Sequence, residues 1–272
     1  MPILNKDMQV CISLSGRPSN LGTRFHNYLY DLLGLNFVYK AFTTDDLEGA
    51  VRGIRALGIR GCSVSMPFKE AIIPFLDELG PSARAIESVN TVVNDNGRLR
   101  ALNTDFEAVA TILREGDFDR TQPVLVRGSG GMGKAVVAAF REVGFDDLTV
   151  LARNADAGRA LADKYGYSFA RERPDREFGM LVNVTPLGMQ GSDSEALAFD
   201  EAAIRAASTV FDVVAFPSRT PLIRRAEELG KVIRTGAEVV ALQAALQFKE
   251  YTGVSVSADL VREASEFSRA EA

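Results

Sequence analysis

The residues best suited to chemistry in this chain fall into two sets. The first is Val124-Leu125-Val126-Arg127-Gly128-Ser129-Gly130-Gly131-Met132-Gly133-Lys134. A strand-like apolar run, a G-x-G-x-x-G turn and a helix start follow one another there, the context a dinucleotide-binding loop requires. Gly128 permits the tight turn, Gly130 lets the backbone approach a pyrophosphate with no Cβ between, and Gly133 lets the helix pack closely on the strand. Gly131 and Met132 complete the loop, and free N–H groups at the helix start face the phosphates. The next strand ends at Ala152-Arg153-Asn154, about 20 residues beyond Gly133, where an NAD site would place a carboxylate for the ribose 2′-hydroxyl. Arg153 stands there instead, and a guanidinium suits the 2′-phosphate of NADP. NADP is therefore expected over NAD, while Asp156, three residues on, is placed to serve the dipole of the next helix.

The second set lies earlier. Ser63-Val64-Ser65-Met66-Pro67-Phe68-Lys69 ends a strand, stops its ladder at a proline and presents a lysine at a helix start. The dipole there prefers an anion, so Lys69 reads either as a solvated surface lysine or as one kept for a role. Asn90 and Asp105 add polar groups at strand ends, and each also reads as a turn or cap residue, with Asn103 or Thr104 able to cap the following helix. His26 is the only histidine and reads as packed or capping. With Cys11 and Cys62 apart in sequence, no ligand set for a transition metal presents itself, and no metal is expected.

Strand and helix patterns alternate along the chain and must position these groups. Gln9–Leu14, Asn36–Ala41 and Gly61–Val64 read as strands, separated by a helix from Thr23 to Leu33 and one from a Thr44 cap to Leu57. Two further strands, 91–94 and 99–102, flank the hairpin turn Asp95-Asn96-Gly97-Arg98. A helix from about Thr104 to Glu115 precedes a second series: strand 124–126, helix 134–143, then strands 148–152, 180–183, 209–214 and 231–234. Helices over 237–251 and 258–267 close the chain with no strand after them. Such alternation implies parallel sheets covered on both faces, an α/β fold with its join near residue 103.

At 272 residues the chain is long enough for two domains. A net charge of −5 argues against a nucleic-acid partner, which would demand a basic surface. The N-terminus lacks the apolar run of a signal peptide, and no stretch approaches the roughly 20 apolar residues of a membrane span. Two cysteines are too few for a disulfide framework, so a reduced, cytoplasmic setting is expected.

Taken together and in order, Ser-Val-Ser-Met-Pro-Phe-Lys at 63–69, Glu-Ser-Val-Asn-Thr at 87–91, Asn-Thr-Asp at 103–105 and Gly-Ser-Gly-Gly-Met-Gly at 128–133 resemble the shikimate dehydrogenase family. Asn183 to Met189, Phe211 to Val214 and Gly236 to Gln243 extend the likeness over nearly the whole chain. The resemblance implies a substrate-binding catalytic domain over 1–102, completed by C-terminal helices from about 237–272 that pack back on it, and a Rossmann NADP-binding domain over 103–236. It implies that Lys69 and Asp105 are the catalytic pair, and that Ser63, Ser65, Asn90 and Gln243 meet the substrate. Arg153 and Asn154 would meet the 2′-phosphate end of the dinucleotide, with Asn183, Thr185, Met189, Val213 and Gly236 bordering it. The activity implied is reversible 3-dehydroshikimate/shikimate interconversion with NADP, a step of aromatic amino acid biosynthesis, in a cleft between the domains of a monomer or homodimer.

The chain also departs from that family. Ser63 and Ser65 stand where Asn and Thr are usual, and Ala215 where a tyrosine is common. The segment from Gly16 to Thr23 is about two residues short, so the carboxylate anchor stays open among Ser13, Ser15, Ser19, Asn20 and Thr23. A quinate-preferring dehydrogenase and a low-turnover ligand- and dinucleotide-binding sensor are therefore the alternatives.

Overall fold

The computed structural model describes residues 3–270. The chain divides into two compact units, one formed by the chain up to Thr104 with everything from Ala241, the other by Asp105–Val240. Each is built on its own six-stranded sheet.

In the first unit β1 (Gln9–Leu14), β2 (Phe37–Phe42) and β3 (Gly61–Val64) run parallel in the order β2-β1-β3. They are joined by α1 (Asn20–Leu32) and α2 (Leu47–Ala56). After the single turn α3 (Phe68–Ala71), the short β4 (Glu78–Leu79) and α4 (Pro81–Ile86), the hairpin of β5 (Thr91–Asp95) and β6 (Arg98–Leu102) adds antiparallel to β3. Two expected helix starts shift. Helix α1 begins at Asn20 rather than Thr23, with Ser19 in the N-cap position. Asp46 rather than Thr44 caps α2, accepting from Gly49 N at 2.7 Å; its carboxylate satisfies a free N–H and opposes the dipole at once. Thr44 is left to bond the backbone of Asp46.

Alternating residues cover both faces of this sheet. Ile12, Leu14, Cys62 and Val64 pack with Val51 and Ile54 of α2. Cys11, Tyr39 and Val93 pack on the other face with Phe25, Tyr30, Phe248 and Tyr251. The last two rings belong to α10 (Gly236–Thr252), and a Cβ on Gly61 would lie 2.3 Å from the Tyr251 ring, so only glycine admits that helix. Helix α11 (Ala258–Arg269) closes on α1, where Arg24 donates to the Phe267 carbonyl at 3.0 Å. His26 is packed here as expected, fully buried and stacked on Tyr39 at 4.5 Å. Burial pushes its pKa down to about 3, opposed by the nearby Gln247 carboxamide, which does not reach hydrogen-bond geometry with either ring nitrogen.

The second unit holds α5 (Thr104–Glu115), β7 (Val124–Arg127), α6 (Gly131–Val143), β8 (Leu148–Leu151), α7 (Ala155–Tyr165), β9 (Ser168–Ala170) and β10 (Met180–Asn183). It continues through α8 (Glu201–Ala206), β11 (Thr209–Asp212), α9 (Pro221–Glu228) and β12 (Val232–Thr235) to the start of α10. Its sheet runs β12-β11-β10-β7-β8-β9, every pair parallel. This is the doubly wound order, and the direction of winding reverses between β7 and β10, where such sheets take their ligands at the carboxyl ends of the strands. Helix α6 starts at Gly131, three residues before the expected Lys134, because the glycine loop itself enters the helix.

No helix among the described residues is long and apolar enough to cross a membrane. The same residues contain no group of three or more His, Cys, Asp or Glu able to hold a metal ion.

Candidate active site

Chemistry-bearing side chains in the first unit gather where β1, β3 and β5 lie side by side. Ser13 pairs with Ser63, and Ser63 with Thr91, so three hydroxyl-bearing residues form a row across the sheet. The loop after β1 is drawn onto the turn after β3: Gly16 N donates to Met66 O at 2.9 Å, and a Cβ on Gly16 would meet the Pro67 ring at 3.0 Å. Ser15 and Ser65 therefore end at the same sheet edge as α3, whose second residue is the half-buried Lys69. Lys69 O accepts from Val89 N at 2.8 Å, which ties the lysine's turn to the residue before Asn90.

Asn90 is 3% exposed and its orientation is dictated by its neighbours. Its Oδ1 accepts from Thr104 N at 2.7 Å, Thr91 Oγ1 at 2.8 Å and Thr104 Oγ1 at 3.1 Å. That leaves the Nδ2 group without a hydrogen-bond partner among the described residues. Nδ2 is not among the enclosed polar atoms that lack a partner, so it stays open to an acceptor from outside the network. Beneath it, Gln247 donates from Nε2 to Asn90 O at 3.1 Å, Thr91 Oγ1 at 3.0 Å and Ser63 Oγ at 3.3 Å. Gln243, one helical turn earlier, approaches Thr104 Oγ1 at 3.4 Å. Gln247 escaped the sequence reading, although its i+4 spacing from Gln243 on one helix was the available signal. Tyr39 escaped it too: its phenol, pushed up by burial, lies against the Ser13 and Ser63 hydroxyls.

The open carboxylate anchor divides unequally. Ser19 is exposed and its side chain caps nothing, while Ser15 Oγ accepts from Arg17 N at 3.1 Å. Thr23, one turn into α1, holds a buried hydroxyl with no hydrogen-bond partner. Asp105 is half-buried in the first turn of α5, directly after the Thr104 that Asn90 holds.

In the second unit the glycine loop divides its labour. Gly128 has φ +123°, and a Cβ there would strike Val184 Cγ2 at 2.7 Å. A Cβ on Gly133 would lie 2.9 Å from Gly128 O, whereas Cβ atoms on Gly130 and Gly131 would meet nothing within 4 Å. Two glycines thus serve packing, and two leave the space over the start of α6 clear. Gly130 is the N-cap residue and contributes no side-chain cap, so the first N–H groups of the 13-residue helix stay available to an anion. The end of β8 carries the exposed Arg153. This cradle and cation fit a dinucleotide with a 2′-phosphate.

Other expected dinucleotide residues are occupied otherwise. Asn154 is the N-cap of α7, accepting from Ala157 N at 3.1 Å. Asn183 is fully buried, donates to Asp212 Oδ1 at 3.0 Å and accepts from Thr185 Oγ1 at 2.6 Å. Asp212, pushed up by burial, also accepts from Thr220 Oγ1 at 2.6 Å, a network the sequence reading missed. Asn183 and Thr185 thereby brace the 184–189 loop, at whose end Met189 is 45% exposed. Val213 N donates to Asn183 O at 2.9 Å, and a Cβ on Gly236 would fall 2.1 Å from Val214 O, closing the same edge tightly.

Known proteins similar to this chain point to one family. The family described as shikimate dehydrogenase substrate binding domain matches residues 19–92. A shikimate dehydrogenase-like protein of Haemophilus influenzae is 56% identical over 98% of this chain and 99% of its own. The shikimate dehydrogenase (NADP(+)) of Chlorobaculum tepidum is 36% identical over 87% of this chain and 88% of its own. The structure of shikimate 5-dehydrogenase from Thermus thermophilus, in complex with NADP(H) and shikimate, is 31% identical with a TM-score of 0.87, covering 96% of this chain and all of that one. A likeness this long, through both units, places the chain in the shikimate dehydrogenase family.

Proposed function

We propose that this protein is an NADP-dependent oxidoreductase that interconverts shikimate and 3-dehydroshikimate. The observation that carries the reading is Asn90, nearly buried, its oxygen saturated and its amide donor left for a ligand oxygen. A ring bearing several hydroxyls is the kind of ligand that would use that donor together with Gln243, Ser63 and Ser65. Ser13, Ser15, Ser19 and Thr23 are the hydroxyls offered to its carboxylate.

Bound NADP+ would supply the hydride acceptor, and the N–H groups from Gly130 to Gly133 together with Arg153 would hold it. In the oxidative direction Lys69 Nζ would take the hydroxyl proton of the substrate's ring alcohol, whose carbinol hydride the bound dinucleotide would accept. Asp105 orients the lysine and the hydroxyl, and proton transfer by a positioned group contributes about 10²–10⁴-fold. Reduction runs the same path backwards, with Lys69 as the acid. The domain names follow: the first unit binds and turns over substrate, and the second binds dinucleotide. A quinate-preferring enzyme is not favoured, because curated relatives at 34–36% identity are named shikimate dehydrogenase (NADP(+)). Cys11 and Cys62, buried on opposite faces of one sheet, suit a reducing cytoplasm.

NADPH formation from shikimate and from quinate, each with NADP+ and NAD+, tests the reading. It predicts the highest kcat/KM for shikimate with NADP+. Binding of shikimate and NADPH without turnover would make the protein a sensor instead.

A further inference from the structure

Arg171 was not among the residues singled out in the sequence, and its place in the second sheet gives it a role. In the parallel ladder Leu151 of β8 pairs with Ala170 of β9, and Ala152 N donates to Ala170 O at 3.1 Å. The residues just beyond, Arg153 and Arg171, therefore leave the sheet side by side at its carboxyl edge. Both are exposed, and with Glu172 they line a shallow hollow of about 560 Å³. Neither arginine has an ion-pair or hydrogen-bond partner among the described residues. Their neighbours do: Arg173 holds Asp200 at 2.9 Å and Arg176 holds Asp147 at 2.6 Å. A third positive charge lies near Arg153, since Arg127 at the end of β7 is lowered in pKa by burial and then by Arg153. Arg127 itself is turned away, donating to the Ala198 carbonyl.

Two unpaired guanidinium groups lining one hollow, with a third cation near Arg153, repel one another unless an anion lies between them. The carboxyl edge of β8 is where the adenosine ribose of a dinucleotide lies in a doubly wound sheet. We propose that Arg171 is a second gripping residue for the ribose 2′-phosphate of NADP(H), closing on it from β9 while Arg153 closes from β8. This rests on the NADP reading above. Glu172 is the one carboxylate at the hollow and the group that would meet a bare 2′-hydroxyl. Preference for the phosphate therefore depends on the two arginines outweighing it.

The test is titration calorimetry of the full chain with NADPH, NADH and adenosine 2′,5′-bisphosphate, using wild type, Arg153→Ala, Arg171→Ala and Arg171→Lys. Arg171→Ala is expected to weaken NADPH and the bisphosphate by about 10- to 100-fold, the usual range for a charge-assisted hydrogen bond. NADH should stay within about 3-fold and the melting temperature should not move, because the side chain is exposed and unpaired. Arg171→Lys, which keeps the charge and loses the planar fork, should fall between. If Arg171→Ala keeps the NADPH preference while Arg153→Ala loses it, the proposal is overturned and the NADP reading stands. Equal weakening of NADH and NADPH by Arg171→Ala also overturns it. A wild type that binds NADPH no better than NADH sinks both.

Discussion

In the second unit the strands beside the glycine loop are apolar up to their last residue: Val124, Leu125 and Val126 of β7 and Met180, Leu181 and Val182 of β10 are all fully buried, and only Arg127 and Asn183 at the two ends are polar. The polar atoms offered at that loop belong to the backbone of Gly130 to Gly133. The first unit is built the other way. Thr91 and Asn90, at the head of β5, are buried polar residues, and Gln247 of α10 reaches in beneath them. A site made of backbone constrains only the residues whose Cβ would intrude. A site made of buried side chains constrains every member, because removing one leaves another unsatisfied. Substitutions in the two units should therefore fail in different ways.

The largest expected effect lies in the first unit and spares the fold. Lys69→Ala should lower kcat by about 10²–10⁴. NADPH affinity, read by titration, should stay as in wild type. An unchanged kcat would remove Lys69 from the chemistry and leave the Asn90 network as a binding site alone.

Next is a dependence of stability on pH that His26 adds in the first unit, beside carboxylates of both units, such as Asp77 and Glu201, that their arginine partners hold below the usual range. His26 is neutral in the folded state, with its pKa lowered from 6.5 to about 3 by burial. The unfolded chain takes up a proton there as pH falls below 6.5, while the folded chain does not until about pH 3. Stability contributed by this group is complete above the unfolded value and is lost as pH falls, by as much as about 5 kcal/mol in all. The phenols of Tyr30, Tyr39 and Tyr251 and the Cys11 thiol packed around it are pushed up by burial and stay neutral throughout. Urea unfolding from pH 7 to pH 4 should show a steeper loss for wild type than for His26→Phe. Equal slopes would mean that the ring is hydrated in solution.

Gln247→Leu should cost about 1–3 kcal/mol, the usual penalty for leaving a buried acceptor unmet. Asn90 O and Thr91 Oγ1 lose their shared donor in that variant. Because Asn90 then loses its support, KM for shikimate should rise more than kcat falls. A stable variant with unaltered KM would show that Asn90 is held well enough by Thr104.

The contrast between the units also decides what was readable beforehand. The order of strands, the glycine loop and the hairpin at Asp95–Arg98 were legible, because they rest on hydrophobic period and on residues with special backbone freedom. Helix starts at Asn20, Leu47 and Gly131 were harder, since several polar residues in a row can each cap and only the folded turn selects one. The two-residue β4 and the short α4 and β9 carry too little pattern to announce themselves. At the site, Lys69, Asn90 and Arg153 stood out by type and position. What Asn154 and Asn183 would be spent on did not, because a cap at Ala157 N and a buried partner at Asp212 are tertiary facts. Arg171 was hidden for the same reason, as it is brought beside Arg153 only by the register of β8 and β9.

The smallest effect is the sharpest test of the backbone-made site. Gly131 opens α6, and a Cβ there would meet nothing within 4 Å, so Gly131→Ala should fold normally and gain up to about 1 kcal/mol from reduced unfolded-state freedom. Its methyl group would stand in the space left open for a phosphate, and NADPH affinity should fall about 10-fold, or about 1.4 kcal/mol. Gly133→Ala should behave differently, since its Cβ would press on Gly128 O at 2.9 Å and cost about 1–3 kcal/mol of stability by overpacking. Thermal melts and NADPH titrations on both variants separate the two roles. A Gly131→Ala protein that melts higher and still binds NADPH as wild type would show that the dinucleotide does not approach the start of α6, and the division between a backbone-made and a side-chain-made site would fail there.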